Sequence, residues 1–515
     1  MRQALRPSSR VQTRAFVQSY PAPTGGWNAR DALAAMKPHE AVVLENFFPN
    51  GSYVALRGGY ASHATGMTGS GLTLAVHNAL AGTSTLWCAT ESGVYDVTAA
   101  GAVGASVAAR TDGKHQHVNF GDGTNNYLIL CNGVDKPLYY NGTTWLAVDG
   151  VTSPALTGIT TTSLIAPFVV KGRLCFVEKN SLSFWYLTAG AAGGALTEFD
   201  LSAQAVRGGY LMAASNWTID GGSGADDLWV FVTSEGEAIV YQGTDPAGTF
   251  SKVGSYFVGR PLGRRCLSKV GGDLLILTES GAFPLSGALK SSAVDYRQAV
   301  SARIEKAFTD QARGTGGSFG WEATLYPAQS ALIVNVPTGG TSEQYVMNTI
   351  TQAWCKFTGW DAQAFAVMGG ELYFTQGTTV VKAWSGASDG GANIVAYGKT
   401  AFSELGRPGR TKRVTLFRPV LSINGALSFL TDVDVDFNED DVVGLSSTAG
   451  VSGGQWDVSS WDAAFWAADF ETVRNWTSPA EGVGYWFAGK VKLSTNSLSV
   501  QWNACDYMAE AGGAL

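Results

Sequence analysis

Leu228-Trp-Val-Phe-Val-Thr-Ser-Glu-Gly-Glu-Ala-Ile-Val-Tyr241 is the stretch that decides the fold. An apolar run rich in β-branched and aromatic residues stands on each side of a polar turn that contains glycine. Runs of this composition favour strands, and the glycine turn between them predicts a β-hairpin. Because an isolated hairpin is only marginally stable in water, this one needs other sheets to pack against.

The same pattern recurs along most of the chain, with starts near residues 86, 127, 173, 228, 273, 332 and 371. Intervals of roughly 40–60 residues match the period of β-propeller blades, each a four-stranded sheet whose other two strands come from the intervening residues. The pattern therefore predicts a propeller of six or seven blades, with Trp145, Trp217 and Trp354 packed between blades. A pair of irregular β-sandwiches is the alternative, since hairpins recur there too.

The composition agrees with an all-β fold and excludes several other classes. Charged residues make up only 15% of the chain and aromatic residues 11%, the opposite of a disordered protein. The 64 glycines are scattered rather than placed at every third residue, which excludes collagen. Neither heptads nor an apolar run long enough for a membrane-spanning helix is present, so no membrane span is expected.

The repeat divides the chain into four predicted parts. Residues 1–20 form a basic arm, residues 21–80 the N-terminal part of a β-rich platform, residues 81–395 the propeller, and residues 396–515 the C-terminal part of the platform. The two platform parts are expected to pack together because chain termini often lie close to each other. A helix is predicted over residues 37–46.

Charge is distributed unevenly along the chain. The net charge is −7, yet the basic arm carries Arg2, Arg6, Arg10 and Arg14 and no acidic residue. Such an arm is expected to order against a partner, and a targeting segment is the alternative. The rest of the chain offers no general basic surface to nucleic acid. The six cysteines lack zinc-site spacing and mostly lie in apolar runs, so they are predicted to be small buried hydrophobic residues.

An acidic strand follows a basic stretch in the C-terminal part. The basic stretch contains Arg407, Arg410, Lys412 and Arg413, and the acidic residues are Asp432, Asp434, Asp436, Asp440 and Asp441. The first three alternate with apolar residues, which places them on one face of a strand. Phe437 and Val443 stand where a calcium-binding EF-hand loop needs Gly and Glu, so that motif is excluded. A solvated face and a contact with the basic stretch, within the chain or on a neighbouring subunit, are both open.

Searches for catalytic groups give no active site. His115 and His117 have alternate spacing but no third metal ligand, and a surface strand is the favoured interpretation. The acids at 220, 226, 227, 235, 237 and 245 are more simply turn residues than a glycosidase pair, which would require convergence at the propeller axis. No catalytic residue, cofactor or metal site is therefore predicted, and the chain is not expected to be an enzyme.

Several long stretches resemble one family. They are Pro23-Thr-Gly-Gly-Trp-Asn-Ala-Arg-Asp31, Met36-Lys-Pro38, Ala41-Val-Val-Leu-Glu-Asn-Phe-Phe-Pro49, Leu56-Arg-Gly-Gly-Tyr60, the segments 217–227 and 231–246, Gly406-Arg-Pro-Gly-Arg410 and residues 456–466. Together they are similar to the tail nozzle, or tail tubular B, proteins of short-tailed phages. The resemblance implies a propeller on a β-rich platform and a homo-hexameric ring in the virion tail, assembled in the host cytoplasm below the portal and its adaptor ring.

The same resemblance implies the adaptor ring and tail fibres or spikes as partners, and genomic DNA in transit only. An acidic lumen containing residues 432–441 would let DNA slide, since neutralising several phosphates gives tight binding. The basic arm would contact the adaptor ring. A head–tail connector, a propeller hydrolase acting on glycans and a glycan-binding module are the alternatives.

Overall fold

The computed structural model describes residues 15–80, 82–218, 227–290, 298–440, 442, 446–449, 470–479 and 482–512. The chain divides into two compact units. The first, here called the platform, consists of residues 1–57 and 393–515, and the second, the propeller, of residues 58–392. No helix in the described ranges is long and apolar enough to cross a membrane.

The N-terminal part of the platform is made of short strands. They are β1 (Ala15–Pro21), β2 (Gly26–Trp27), β3 (Glu40–Glu45), β4 (Phe47–Pro49) and β5 (Val54–Leu56). The helix predicted over residues 37–46 is wrong, because β3 occupies most of that range. Glu40 explains the difference: its buried carboxylate accepts hydrogen bonds from the Asn28 side chain and the Lys37 backbone N–H, both 2.9 Å long. These bonds hold the chain extended into β3.

The propeller begins with β6 (Tyr60–Thr65), and most of the strands that follow build its first three blades. They are β7 (Gly71–His77), β8 (Thr85–Thr90), β9 (Gly93–Asp96), β10 (Gly101–Ala102), β11 (Ala108–Ala109), β12 (Gln116–Gly121), β13 (Asn126–Cys131), β14 (Leu138–Tyr140), β15 (Trp145–Ala147), β16 (Leu156–Thr157), β17 (Leu164–Val170), β18 (Arg173–Glu178), β19 (Ser183–Tyr186), β20 (Gly194–Ala195) and β21 (Thr197–Asp200). Strands β16 and β20 form a separate parallel pair.

The other blades contain the remaining strands and two helices. They are β22 (Leu211–Thr218), β23 (Asp227–Thr233), β24 (Glu237–Gly243), β25 (Phe250–Phe257), β26 (Leu267–Val270), β27 (Asp273–Thr278), β28 (Gly281–Pro284), α1 (Leu285–Lys290), α2 (Glu305–Thr315), β29 (Glu322–Tyr326), β30 (Ala331–Pro337), β31 (Ser342–Asn348), β32 (Trp354–Phe357), β33 (Phe365–Met368), β34 (Glu371–Gln376) and β35 (Thr379–Ala383).

Hydrogen bonding arranges these strands into seven antiparallel blades within the described residues. Blade 1 is β7-β8-β9-β11, blade 2 is β12 to β15, blade 3 is β17-β18-β19-β21, blade 4 is β22 to β25, blade 5 is β26 to β28, and blade 6 is β29 to β32. Blade 7 is β33-β34-β35-β6, and the two-residue strand β10 pairs parallel with the outer edge of β6. The first strands of successive blades contact one another in order, and β33 contacts β7, so the ring is closed. The prediction of an all-β propeller is confirmed.

Each sequence repeat contains the hairpin formed by the second and third strands of a blade. In three blades the hairpin turn begins with a fully buried threonine: Thr90, Thr233 and Thr278. The Thr278 hydroxyl accepts a hydrogen bond from the Ser280 backbone N–H (3.3 Å) and donates one to the Gly281 carbonyl (3.1 Å). These hydroxyls satisfy backbone groups that the ladder leaves unpaired at the turn.

Apolar clusters between neighbouring blades form the core of the propeller. Phe168 and Phe184 of blade 3 pack against Trp229 and Phe231 of blade 4, with the Phe184 and Phe231 rings stacked at 4.6 Å. Comparable clusters join blades 7 and 1, 1 and 2, 2 and 3, and 4 and 5. The predicted inter-blade position of Trp145 is confirmed by its contact with Trp87, and Trp217 lies in the cluster between blades 4 and 5. All six cysteines are buried free thiols, as predicted.

The boundary between platform and propeller differs from the predicted one. Residues 58–80 belong to the propeller rather than to the platform, because β6 pairs with β35 to close blade 7 and β7 is the inner strand of blade 1. Residues 15–20 also differ from the predicted arm, since they form part of β1, which pairs with β43.

The C-terminal part of the platform completes two sheets. Its strands are β36 (Ile394–Thr400), β37 (Lys412–Ile423), β38 (Leu427–Val435), β39 (Ser446–Ala449), β40 (Glu471–Val473), β41 (Val483–Gly484), β42 (Phe487–Thr495) and β43 (Val500–Ala511). One sheet has the order β4-β5-β43-β37-β40, with β1 added to β43 and β41 to β37. The other runs β2-β3-β36-β42-β38-β39.

The two platform sheets pack face to face through aromatic side chains placed over glycines. A Cβ atom at Gly398 of β36 would lie 2.5 Å from the Trp502 ring, and one at Gly489 of β42 would lie 2.5 Å from the Phe417 ring. The Gly489 N–H also donates to the Tyr507 hydroxyl (2.9 Å). Only glycine permits this close approach of backbone and ring.

Candidate functional site at the propeller axis

The inner strands of the blades surround a cavity of about 620 Å³. Its described lining comes from blades 1 to 6 and mixes apolar side chains with charged and amide groups. The polar members are Gln116, His117, Asn119, Ser215, Asn216, Arg264, Arg265, Ser268, Lys269 and Glu322. A cavity of this size and mixed lining has the dimensions of a small-molecule site.

Arg265 bridges the axis of the propeller. It precedes β26 of blade 5, and its guanidinium pairs with Glu322 of blade 6 at 3.0 Å. The same group donates to the Leu72 carbonyl (2.9 Å) and Thr73 hydroxyl (2.6 Å) of blade 1, and to the His115 carbonyl (3.0 Å) at the start of blade 2. One side chain therefore ties four blades together. Its five fixed N–H donors suit this role, since a lysine ammonium lacks the fork geometry.

Arg264 and Gln116 make a second connection beside Arg265. The Gln116 side-chain amide donates to the Arg264 carbonyl (3.2 Å) and accepts from the Ala166 N–H (3.4 Å), which joins blades 2, 3 and 5. The Arg264 guanidinium donates to the Asn132 carbonyl at 3.3 Å. Both residues, with Arg265, also line a second cavity of about 330 Å³. The arginine pair thus separates two cavities along the axis.

The two histidines lie at this axis. The predicted surface strand is wrong for His115, which is buried, whereas His117 is an exposed residue of β12. His115 is buried just before β12, and desolvation lowers its pKa to about 4, with Arg110 and Arg265 lowering it further and Asp112 opposing them. His117 lines the 620 Å³ cavity and is exposed to solvent there. That environment lowers its pKa as well, chiefly by desolvation.

The acids that suggested a glycosidase do not converge here. Glu322 is the single carboxylate among the described residues that line the cavity, and Arg265 neutralises it. Asp245 pairs with Arg173 (3.0 Å), and Glu235 pairs with Arg260 (3.0 Å) on the surface. Residues 220 and 226 lie outside the described ranges. Glycoside hydrolysis needs two carboxyl groups across one bond, and the described lining does not supply them.

No group of three metal-ligating side chains occurs within the described ranges. His115 is buried and lines the smaller cavity, whereas His117 lines the larger one. The axis is therefore a cationic polar site rather than a metal centre in the part of the chain that the structure describes.

The predicted lumen acids occupy a different environment in the platform. Asp432 and Asp434 lie on β38 and are only 5% exposed. Asp434 forms ion pairs with Lys399 of β36 (2.6 Å) and with Lys490 of β42, and Lys490 also lies 3.8 Å from Asp432. The prediction that these two acids face a channel or contact the basic stretch is wrong. The alternation of acidic and apolar residues correctly predicted that both aspartates lie on one face of a strand, but that face of β38 is buried within the platform.

The remaining predicted acids do not continue the strand. Asp436 follows the end of β38 with a φ of 49°, and its carboxylate accepts the N–H groups of Tyr485 and Trp486, both at 2.8 Å. Asp440 is exposed and accepts a hydrogen bond from the Asn438 side chain. Asp441 lies outside the described residues.

The basic stretch is split between surface and core. Arg407, Arg410 and Arg413 are exposed, and the Arg407 guanidinium lies 4.0 Å from the centre of the Phe16 ring. Lys412 is buried and donates to the carbonyls of Arg407 (2.8 Å) and Arg410 (2.6 Å), so it fixes the loop. Arg2, Arg6, Arg10 and Arg14 lie outside the described residues, and the predicted adaptor contact of the arm stays a prediction.

Sequence reasoning missed the axial cations. Arg264 and Arg265 stand between Gly263 and the buried Cys266, just ahead of an inner strand. The signal was present, since a charged pair inside an otherwise apolar repeat is unusual. Recognising it requires assigning the first strand of each blade, which the hairpin pattern alone does not mark.

Comparisons with known proteins give similarities to solved structures alone. No protein-family model matches the chain, and no curated protein matches it. Solved structures that it resembles include the Pan2 WD40 domain of Neurospora crassa, with a TM-score of 0.38, 10% identity, and coverage of 63% of this chain and 95% of that one. Another is BBS1N in complex with ARL6DN, with a TM-score of 0.38, 11% identity, and coverage of 65% and 99%.

Proposed function

We propose that the protein is a structural virion component, a subunit of a hexameric tail nozzle that conducts DNA below the portal and its adaptor ring. The proposal starts from the resemblance of the sequence to tail tubular B proteins. Under this proposal the chain belongs to the virion tail, with the adaptor ring and tail fibres or spikes as neighbours. Genomic DNA is then a passing contact rather than a ligand.

The observation that carries the proposal is the position of the family-like residues. Arg57, the last residue before the propeller, donates from its side chain to the Asn46 side-chain oxygen (2.7 Å) and from its backbone N–H to the Asn46 carbonyl (3.0 Å). Asn46 in turn donates to the carbonyl of Val395, close to where the chain re-enters the platform (2.8 Å). Asn46 and Arg57, which belong to the family-like stretches, thus hold together the platform segment that leads into the propeller and the one that follows it. This is a scaffolding role.

The axis of the propeller supports a conduit formed between subunits rather than within one. Arg265 crosses the axis, so a duplex has no path there. A conduit must also avoid tight phosphate binding, and the net charge of −7 suits that requirement. Because Asp432 and Asp434 are buried, the lumen of a ring would be lined by other residues.

Assembly of the purified chain tests the proposal. Mixed with the adaptor ring of the same phage, the full-length chain should form a ring of six copies, measured by native mass spectrometry and negative-stain microscopy. A chain without residues 1–14 keeps β1 intact and serves as the matched variant: it should form the ring and bind the adaptor more weakly. A chain that stays monomeric with and without the adaptor ring would contradict the proposal.

A further inference from the structure

The smaller axial cavity, of about 330 Å³, has a positively charged wall. Its described charged lining residues are Asp112, Lys114, Lys179, Arg264 and Arg265. Arg265 is already neutralised by Glu322. Three cations and one carboxylate remain, so the cavity keeps an excess of two positive charges in a protein whose net charge is −7. A cavity lined mainly by one sign of charge attracts ions of the opposite sign.

Arg264 and Lys179 face the same point of this cavity. The Arg264 guanidinium donates to the carbonyl of Asn132 (3.3 Å), and the Lys179 ammonium donates to the carbonyl of the next residue, Gly133 (3.0 Å). A Cβ atom at Gly133 would lie 3.1 Å from Cδ of Lys179 and 3.6 Å from Nη1 of Arg264. The two cationic side chains, from blades 3 and 5, therefore meet at the turn that follows β13 in blade 2.

Both cations keep hydrogen-bond donors for a ligand. Within the described ranges, each donates to one neutral carbonyl and neither forms an ion pair. A guanidinium has five N–H donors and an ammonium has three, so most of the donors of both groups are unused. Lys114 is a third cation without an ion pair in the described part of the chain, and its ammonium lies 5.3 Å from the centre of the Phe319 ring.

Asp112 does not neutralise this cluster. Its carboxylate accepts the backbone N–H of Lys114 (2.9 Å) and forms no ion pair with the three cations in the described structure. Desolvation lowers the pKa of Arg264 and outweighs Tyr210 and Asp112, which both raise it. The Arg264 guanidinium has therefore lost more stabilisation from water than the surrounding acids return, and an anion would supply it through charge-assisted hydrogen bonds.

We propose that the 330 Å³ cavity binds the phosphate monoester group of a small organic molecule, held between Arg264 and Lys179. Such a group carries a charge of about −1.5 to −2 at pH 7, which matches the excess of two positive charges. A phosphate diester of a nucleic-acid backbone carries only one charge. Arg264 supplies a planar fork that matches two phosphate oxygens, and Lys179 supplies a compact charge.

The rest of the lining favours an organic body over a bare inorganic ion. Among the lining residues are the apolar and aromatic side chains of Val134, Leu262, Phe319 and Trp321. Val134 is 46% exposed, so this side of the cavity is open to a ligand. A few charged groups in an otherwise apolar wall are typical of small-molecule sites. The site is independent of the proposed tail function.

Isothermal titration calorimetry of the full-length chain in low salt tests the proposal. The probes are glucose 6-phosphate, glycerol 3-phosphate and AMP, with inorganic phosphate, glucose and a short DNA duplex without terminal phosphates for comparison. At least one monoester should bind more tightly than inorganic phosphate, and glucose should not bind. Binding of no monoester, equally tight binding of inorganic phosphate, or tighter binding of the duplex than of every monoester would overturn the proposal.

Variants locate the site. K179M and R264Q should each weaken monoester binding at least tenfold. D112N should strengthen it, because it removes the negative charge from the wall and keeps an acceptor for the Lys114 N–H. K252M is the matched control, since it removes an exposed lysine of the outer strand β25 whose ammonium also donates to a carbonyl, and it should leave binding unchanged.

Thermal melting of each variant checks the fold. If K179M or R264Q fails to fold, K179Q and R264K take their place, and each should still weaken binding. Binding that K179M leaves unchanged, that D112N weakens, or that K252M weakens as much as K179M does would refute the assignment.

Discussion

Replacing Arg265 by alanine should strongly destabilise the propeller. The substitution removes one ion pair with Glu322 and three hydrogen bonds to blades 1 and 2. Both side chains of the pair are largely buried, with 14% of Arg265 and 17% of Glu322 exposed. The Glu322 carboxylate would then lie in a cavity wall without its cation.

The expected loss of unfolding free energy follows from the usual contributions of buried ion pairs and charged hydrogen bonds. Removing one partner of a fully buried ion pair costs about 3–5 kcal/mol, and a hydrogen bond to a charged group contributes about 1.5–3 kcal/mol. Water in the adjoining cavity can solvate Glu322, which reduces the penalty. We therefore expect R265A to lower the free energy of unfolding by about 3 kcal/mol.

Urea unfolding followed by tryptophan fluorescence measures this change. The matched control is R260A, which breaks the surface pair with Glu235 and should cost less than about 1 kcal/mol, because those side chains are 60% and 39% exposed. The double variant R265M/E322Q should recover part of the loss, since it removes both charges together. The reasoning is refuted if R265A costs no more than R260A.

Three further predictions concern other buried groups. Since the pKa of His115 falls from 6.5 to about 4 on folding, the unfolded chain binds more protons between those values. His115 should therefore contribute a loss of stability of up to about 3 kcal/mol as pH falls from 6.5 to 4. H115Q should make the pH dependence shallower in urea titrations without removing it, because the pKa of His117 is lowered as well. K490M should cost about 3–5 kcal/mol by leaving the two buried aspartates of β38 short of a cation, whereas K492M, exposed on the same strand, should be nearly neutral in the same assay. T278V should raise the unfolding rate in stopped-flow measurements and cost about 1–2 kcal/mol, because it removes a buried hydroxyl that makes two hydrogen bonds; an unchanged rate and stability would contradict this.

The hairpins were predictable because their physical cause is local. Apolar runs, β-branched residues and a glycine turn act within about a dozen residues, so Leu228 to Tyr241 favours a hairpin through its local sequence. At Gly236 the turn needs a φ of 79°, and a Cβ atom there would lie 2.4 Å from the backbone of Gly259. Repetition of the unit then indicates the propeller, and in the structure each unit contains the hairpin formed by the second and third strands of a blade.

Features that depend on distant partners were not predictable from the pattern. The acids at 432 and 434 resemble a solvated face until Lys399 and Lys490 are placed beside them by the pairing of β36, β42 and β38. Residues 37–46 resemble a helix until the hydrogen bonds of Glu40 are known. The helix α2 was missed although Ile304, Phe308 and Ala312 are spaced four apart and buried, since a short helix in a glycine-rich region gives a weak signal.

The axial site was missed for a related reason. Arg265 contacts residues that are nearly 200 positions away in the sequence, such as Thr73. Only the closed ring of inner strands brings them together. Local composition indicates strands, whereas the chemistry at the axis depends on which strand of each blade faces inward.

Immunogold electron microscopy of virions, with antibody raised against this chain, tests the proposed function most directly. Gold on the tail, below the neck of the particle, is the expected result, and a six-fold reconstruction of that region should then contain the propeller. Particles that carry no gold, under conditions in which an antibody to the portal labels them, would contradict the assignment to the virion.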